Sequence, residues 1–123
     1  MTMTLDQERA RFAWKQASSH CGIAGYREMA KGASALIMGS GLMPALAYWH
    51  SRSGSNAEPA SALCDDVLGW LAEREFTPRD FRLGMESLLE VRDPLLFMQV
   101  TDEVLAMLKW LRQFAEAVAN GGG

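Results

Sequence analysis

Apolar residues recur along this chain at intervals of three and four, and nowhere do they alternate with polar ones for more than a few positions. That period belongs to helices, so the pattern predicts an all-helical protein without a sheet. The first helix opens at Thr4-Leu5-Asp6-Gln7, where Thr4 fits an N-cap and Gln7 the reciprocal position of a capping box, and it runs to about Ser19. Its stripe is Ala10, Ala13, Trp14, Ala17 and Cys21, with Leu5 and Phe12 on the opposite side. A helix that is apolar on two faces is either sandwiched between neighbours or turned towards a partner.

The second helix starts near Ile23 or Tyr26 and buries Tyr26, Met29, Ala30, Ala33, Leu36 and Ile37. Gly39-Ser40-Gly41 ends it, because glycine accepts the left-handed backbone of many helix C-termini. A third helix follows, with Leu42, Ala45, Leu46 and Trp49 inward, and then SRSGSN over 51–56, the most loop-like segment and a candidate flexible contact. The fourth helix follows Pro59, with Leu63, Val67, Trp70 and Leu71 inward. Thr77-Pro78 reads as a cap and first turn for a fifth helix that buries Phe81, Met85, Leu88 and Leu89. Asp93-Pro94 repeats that signal for a last helix reaching about Asn120, roughly 40 Å at about 1.5 Å per residue.

On this last helix Phe97, Val104, Leu111 and Val118 fall seven apart, as do Val100, Met107 and Phe114. Thr101, Leu108 and Ala115 widen the stripe beyond a coiled-coil seam, so the helix reads as the spine of a bundle. The prediction is one compact bundle of about six helices over residues 1–120, with a flexible glycine tail at 121–123. A length of 123 residues suits one core and not two.

Composition adds an asymmetry. The chain carries a net charge of -3, yet residues 1–52 hold six Lys/Arg against three Asp/Glu. Residues 53–108 hold four Arg against eleven acids. The acidic total argues against a free-standing, high-affinity nucleic-acid binder, but leaves room for a local basic face. The N-terminal residues lack a basic flank followed by an apolar block, and no apolar run approaches a membrane span, so cytoplasmic residence without a membrane is expected. Cys21 and Cys64 lack the paired short spacings of a zinc site, even with His20 and His50. They are expected as two buried or half-buried thiols, with no metal and no cofactor.

No nucleophile has a base beside it in sequence, and no phosphate loop or metal-hydrolase motif occurs, so a non-enzyme is expected. The neighbouring acids Asp65-Asp66 and Glu73/Glu75 read as a solvated face. The cations are more suggestive. Arg11 and Lys15 lie four apart on the first helix, as do Arg27 and Lys31 on the second. Like charges at that spacing cost a few tenths of a kcal/mol, unless an anion neutralises them. Ser34 continues the second row, giving a cation-cation-hydroxyl edge suited to phosphate oxygens, and Arg9 and Arg52 extend the patch. A helix-turn-helix reading of the same segment fails on its second helix, whose Leu42-Met43-Pro44-Ala45-Leu46-Ala47 is built for burial and not for reading bases.

The opening TLDQERARFAW, the central YREMAKGASALIMGSGLMPALAYW and the closing EVLAMLKWLRQFAEA resemble the small subunit of the type III-B CRISPR effector, the Cmr complex. The resemblance lies in Arg9 to Trp14, Tyr26-Arg27, Gly41-Leu42 with Ala45-Leu46-Ala47, and Leu108 through Ala117, three ordered blocks covering about half the chain. It departs at Gly32-Ala33, where family members often carry Leu-Pro, and glycine there is expected to alter the second helix locally. The resemblance implies a non-nuclease whose copies stack beside the backbone subunits, along the groove holding the crRNA–target RNA duplex, with cleavage left to other subunits. Its implied partners are therefore other Cmr subunits, further copies of itself, crRNA and target RNA. The alternative is a generic helical adaptor or the equivalent subunit of a related type III complex. Shared family motifs are mostly core positions, so the RNA-contact candidates Arg9, Arg11, Lys15, Arg27, Lys31 and Arg52 rest on charge and spacing.

Overall fold

The computed structural model describes residues 2–120 and contains six α-helices and one 3-10 turn in that span. They are α1 (Leu5–His20), α2 (Tyr26–Ser40), α3 (Leu42–His50), the 3-10 turn Gly54–Asn56, α4 (Ala57–Glu73), α5 (Phe81–Leu89) and α6 (Pro94–Asn120). The glycine tail expected at 121–123 lies outside the described residues. The capping box at α1 forms as the sequence predicts, with Gln7 N–H donating to Thr4 Oγ1 at 3.1 Å and Thr4 N–H to Gln7 Oε1 at 2.8 Å. Pro94 opens α6, and Asp93 Oδ1 accepts from Leu95 N–H at 3.0 Å.

α6 packs against α1, α2 and α4, as its widened stripe predicts, but the most enclosed helix is α4. Every other α-helix packs against α4, which buries Ala60, Leu63, Cys64, Asp66, Val67, Leu68, Trp70 and Leu71 around most of its circumference. A single inward stripe, Leu63-Val67-Trp70-Leu71, describes only part of that surface. α6 instead forms one outer wall, along which α1 and α2 lie. Its widened stripe packs as expected, with Val100, Val104, Met107, Leu108, Leu111 and Ala115 buried and Phe97, Phe114 and Val118 half-buried.

Local details differ from the sequence reading, each for a local reason. α2 continues through Gly39 and Ser40, and only Gly41 breaks it, with φ 98° and ψ 160°. A side chain rarely adopts that backbone, and here it lets Gly41 N–H close on Ile37 O at 2.7 Å while α3 begins at the next residue. α2 also runs unbroken through Gly32, so no local alteration accompanies Gly32-Ala33. The cap of α5 is Asp80, whose side chain accepts from Leu83 N–H at 3.0 Å, and not Thr77, which is buried in the preceding turn. Segment 51–56 is a turn closed by Ser51 and Arg52 onto the Tyr48 carbonyl.

α4 ends in a Schellman motif: Phe76 N–H donates to Leu71 O at 2.8 Å and Glu75 N–H to Ala72 O at 3.0 Å. Glu75 takes the left-handed conformation there, φ 61°, and is the one described non-glycine residue with positive φ. Glu75→Gly should therefore raise unfolding stability by up to about 1 kcal/mol in chemical denaturation. A loss of stability would contradict this account of the turn.

Candidate nucleic-acid interface

The six candidate cations fall into different environments. Arg9 is consumed inside the fold: its Nε and Nη2 donate to Glu103 Oε1 and Oε2 on α6 at 2.7 and 2.9 Å, and Nη1 reaches Asp6 at 3.3 Å. Trp70 Nε1–H donates to the same carboxylate at 3.2 Å, so Glu103 gathers α1, α4 and α6. The hydrogen bonds from Arg9 hold the Glu103 carboxyl below the usual range despite its partial burial. Arg52 is half-buried, donating from Nε to Tyr48 O at 3.1 Å with its guanidinium 3.9 Å from the Tyr48 ring centroid. Arg27 lies near Glu28 at 3.3 Å and Glu116 at 3.8 Å.

Arg11, Lys15 and Lys31 are exposed. Arg11 and Lys15 line a groove of about 440 Å³ between α1 and α4, together with Met3, Glu8, Phe12, Trp70, Glu73 and Arg74. Arg27 lines a different depression of about 140 Å³ against the end of α6, near Val118 and Ala119. The sequence treats these two like-charged pairs as parts of one patch, whereas the fold sets Arg11 and Lys15 in one depression and Arg27 in another.

The two apolar faces of α1 are both used. Phe12 packs on Trp70 of α4 with ring centroids 5.2 Å apart, and Ala13 and Ala17 are fully buried. Trp14 meets Phe114 of α6 edge-on at 5.3 Å but stays 51% exposed, so it forms a rim and not core. Cys21 lies past the end of α1 and is exposed, contrary to its expected burial, whereas Cys64 is buried and its thiol is pushed up to about 12, first by desolvation. Both cysteines are free. The described residues hold no group of three His, Cys, Asp or Glu suited to a metal ion, and no helix long and apolar enough to cross a membrane.

Sequence reasoning missed Asp66. It is fully buried, unlike the exposed Asp65, and so does not belong to a solvated acidic face. Tyr26 donates its hydroxyl to Asp66 Oδ2, and Gln16 Nε2 donates to Oδ1 at 2.8 Å. His20 Nδ1 stands 3.2 Å from Oδ1, within ion-pair distance but outside hydrogen-bond geometry, and its ring meets Tyr26 edge-on at 5.1 Å. One carboxylate thus joins α1, α2 and α4. The signal is present in the chain, since Asp66 lies three residues after Leu63 and four before Trp70, on the stripe assigned to the core.

Asp66 raises the His20 pKa above 6.5, through direct interaction and charge that outweigh desolvation. A raised folded pKa contributes stability that is complete below about 6.5 and lost as pH rises through the folded value. Thermal melts from pH 5.5 to 8.5 should show this decline in the wild type and a flatter profile in His20→Gln. Parallel profiles would contradict the pairing.

Comparison with known proteins agrees with this fold. The family model described as CRISPR-associated protein (Cas_Cmr5) matches residues 5–118. The "CRISPR system Cmr subunit Cmr5" of Thermus thermophilus is 34% identical over 107 residues, 85% of this chain and 83% of that protein. The crystal structure of a CRISPR-associated Cmr5 family protein, also from Thermus thermophilus, superposes with a TM-score of 0.78 at 31% identity. The match covers 94% of this chain and 97% of the other. The resemblance to the small Cmr subunit is thereby confirmed, and the chain belongs to the Cmr5 family of CRISPR-associated proteins.

Proposed function

We propose that the chain is a non-catalytic structural subunit of a type III-B CRISPR (Cmr) effector, acting in the cytoplasm in antiviral defence. In this reading it packs beside the backbone subunits and touches the crRNA–target RNA duplex. The observation that carries the reading is the family match across residues 5–118. In guide-based effectors base pairing reads the sequence, so a subunit of this kind need recognise only backbone and shape. Arg11 and Lys15, exposed on α1, are the principal RNA contacts, and Lys31 with Arg27 on α2 is a second. Arg9 serves instead to fix α1 on α6, and Arg52 to close the turn after α3.

Copies stack head to tail. The α5–α6 corner exposes Leu89, Leu95, Leu96 and Met98 beside Glu86, Glu90 and Asp93. The outer face of α2 carries exposed Lys31, Ala35 and Met38 at i, i+4 and i+7, complementary in charge and also apolar. A contact between two unlike surfaces leaves both ends open, which suits a row of copies. Leu95→Glu combined with Met98→Glu should abolish concentration-dependent association in sedimentation velocity; unchanged association would place the contact elsewhere.

RNA contact is tested by binding of the full chain to a short RNA duplex across a salt series. Reversing Arg11 and Lys15 to Glu should lower affinity at least tenfold and reduce the slope of log K against log salt by about 2. Reversing Arg27 and Lys31 should have a smaller effect, because Arg27 already faces two carboxylates. Binding that survives both reversals unchanged would overturn the contact. Binding to a protein partner with little salt dependence would favour a helical adaptor.

A further inference from the structure

The acidic middle of the chain contributes one arginine to the basic groove on α1 and sets a second beside its Phe12 wall, which the charge balance by segment conceals. Arg74 caps the C-terminus of α4 and lines the groove with Arg11 and Lys15. Its Nε is buried and has no hydrogen-bond partner among the described residues, so that donor is not tied to a carboxylate there. Arg79, in the turn before α5, comes from the other side. A Cβ at Gly69 would lie 3.1 Å from Arg79 Nη2 and 3.2 Å from Phe12 Cζ. Because glycine leaves that space open, the guanidinium lies across the α4 backbone next to the Phe12 ring, and Phe12 lines the groove. Three cations, Arg11, Lys15 and Arg74, therefore line the groove with Phe12 and Trp70, against the groove carboxylates Glu8 and Glu73 and Glu103 behind Trp70, while Arg79 stands beside the Phe12 wall.

We propose that this groove between α1 and α4 is a binding site for the phosphodiester backbone of RNA, held by Arg11, Lys15, Arg74 and Arg79. The proposal rests on the RNA-contacting reading above and deepens it, since it assigns the principal contact to one groove and adds two residues. Phe12 is 8% and Trp70 2% exposed, so the rings offer no open face for stacking bases, and the ligand class is phosphate and not nucleobase. Guanidinium groups suit that ligand because each presents a planar fork of donors to phosphate oxygens.

The test uses the full chain, labelled with nitrogen-15, and a short RNA duplex as the probe. On adding the duplex, the side-chain Nε–H signals of Arg74 and Arg79 should shift together with those of Arg11. Arg74→Gln combined with Arg79→Gln should weaken duplex binding about tenfold and lower the salt slope by about 2. If the duplex binds and is weakened by the Arg11 and Lys15 reversals, but the Arg74 and Arg79 signals stay still, the groove proposal falls and the broader reading stands. If neither the full chain nor the assembled effector binds the duplex with any salt dependence, both fall together. The signals are read on the wild-type protein, so a variant that fails to fold cannot hide the answer.

Discussion

Asp66→Ala should destabilise the fold by about 3 kcal/mol, the largest loss expected from any single polar substitution here. The carboxylate is fully buried and accepts from Tyr26 and Gln16, while His20 stands beside it. Removing it strands the buried Tyr26 hydroxyl, and the smaller side chain cannot refill the space between α1, α2 and α4. Burial and the neighbouring negative charge keep that hydroxyl protonated, so it cannot ionise to find another role. The pH profile should change as well, since a raised His20 pKa depends on Asp66. Denaturant unfolding of Asp66→Ala and Tyr26→Phe separates the parts. Tyr26→Phe should cost less, because it removes a donor and leaves the acceptor its other neighbours. A loss below about 1 kcal/mol for Asp66→Ala would mean that the network does not hold the three helices.

Glu103→Ala should cost about 2 kcal/mol, with a distinct pH signature. Its side chain is 11% exposed and that of Arg9 19%, so solvent screens the pair only in part. Without Glu103 the Arg9 guanidinium loses both of its strong bonds and Trp70 Nε1–H loses its acceptor. Glu103 has a lowered folded pKa, and its ordinary value is 4.5. The stability it contributes is present above that ordinary value and disappears as pH falls through the folded one. The difference between wild type and Glu103→Ala should therefore be constant near neutrality and shrink on the acid side. Chemical denaturation at pH 7 and at pH 3 measures it, and an equal difference at both would contradict the pairing.

The local signals in the chain are legible because they depend on neighbours in sequence. The Thr4 capping box, the Asp93-Pro94 start, and the inward rows of α2, α3 and α6 need only a few adjacent residues to decide them. Features set by distant partners are not legible. Periodicity on α4 can rank one stripe, but which helix lies at the centre depends on how the others surround it. Arg9 reads as an RNA contact because Glu103, 94 residues away, is invisible from its local spacing. Arg74 and Arg79 are hidden among acids in sequence, although the fold turns them towards α1. Asp66 is the exception, since its helical phase already places it inside.

The separation of cations into tied and open ones decides what each substitution should do. Arg9→Ala belongs with Glu103→Ala, lowering stability and leaving the salt slope of RNA binding unchanged. Arg11 and Lys15 behave oppositely: both are exposed, so their loss should leave unfolding almost unaltered while weakening RNA contact.

This subunit should meet the RNA backbone through the α1 side of the bundle while assembled in a Cmr effector. That contact is tested most directly by photo-crosslinking the assembled effector to target RNA carrying aryl-azide groups on backbone phosphorothioates, then identifying the crosslinked peptides by mass spectrometry. Crosslinks on this chain within residues 8–15 and 70–79 are predicted, and they should diminish when Arg11 and Lys15 are reversed to Glu. Crosslinks confined to the α5–α6 corner at residues 83–98, or none on this chain in an assembly that contains it, would contradict the account.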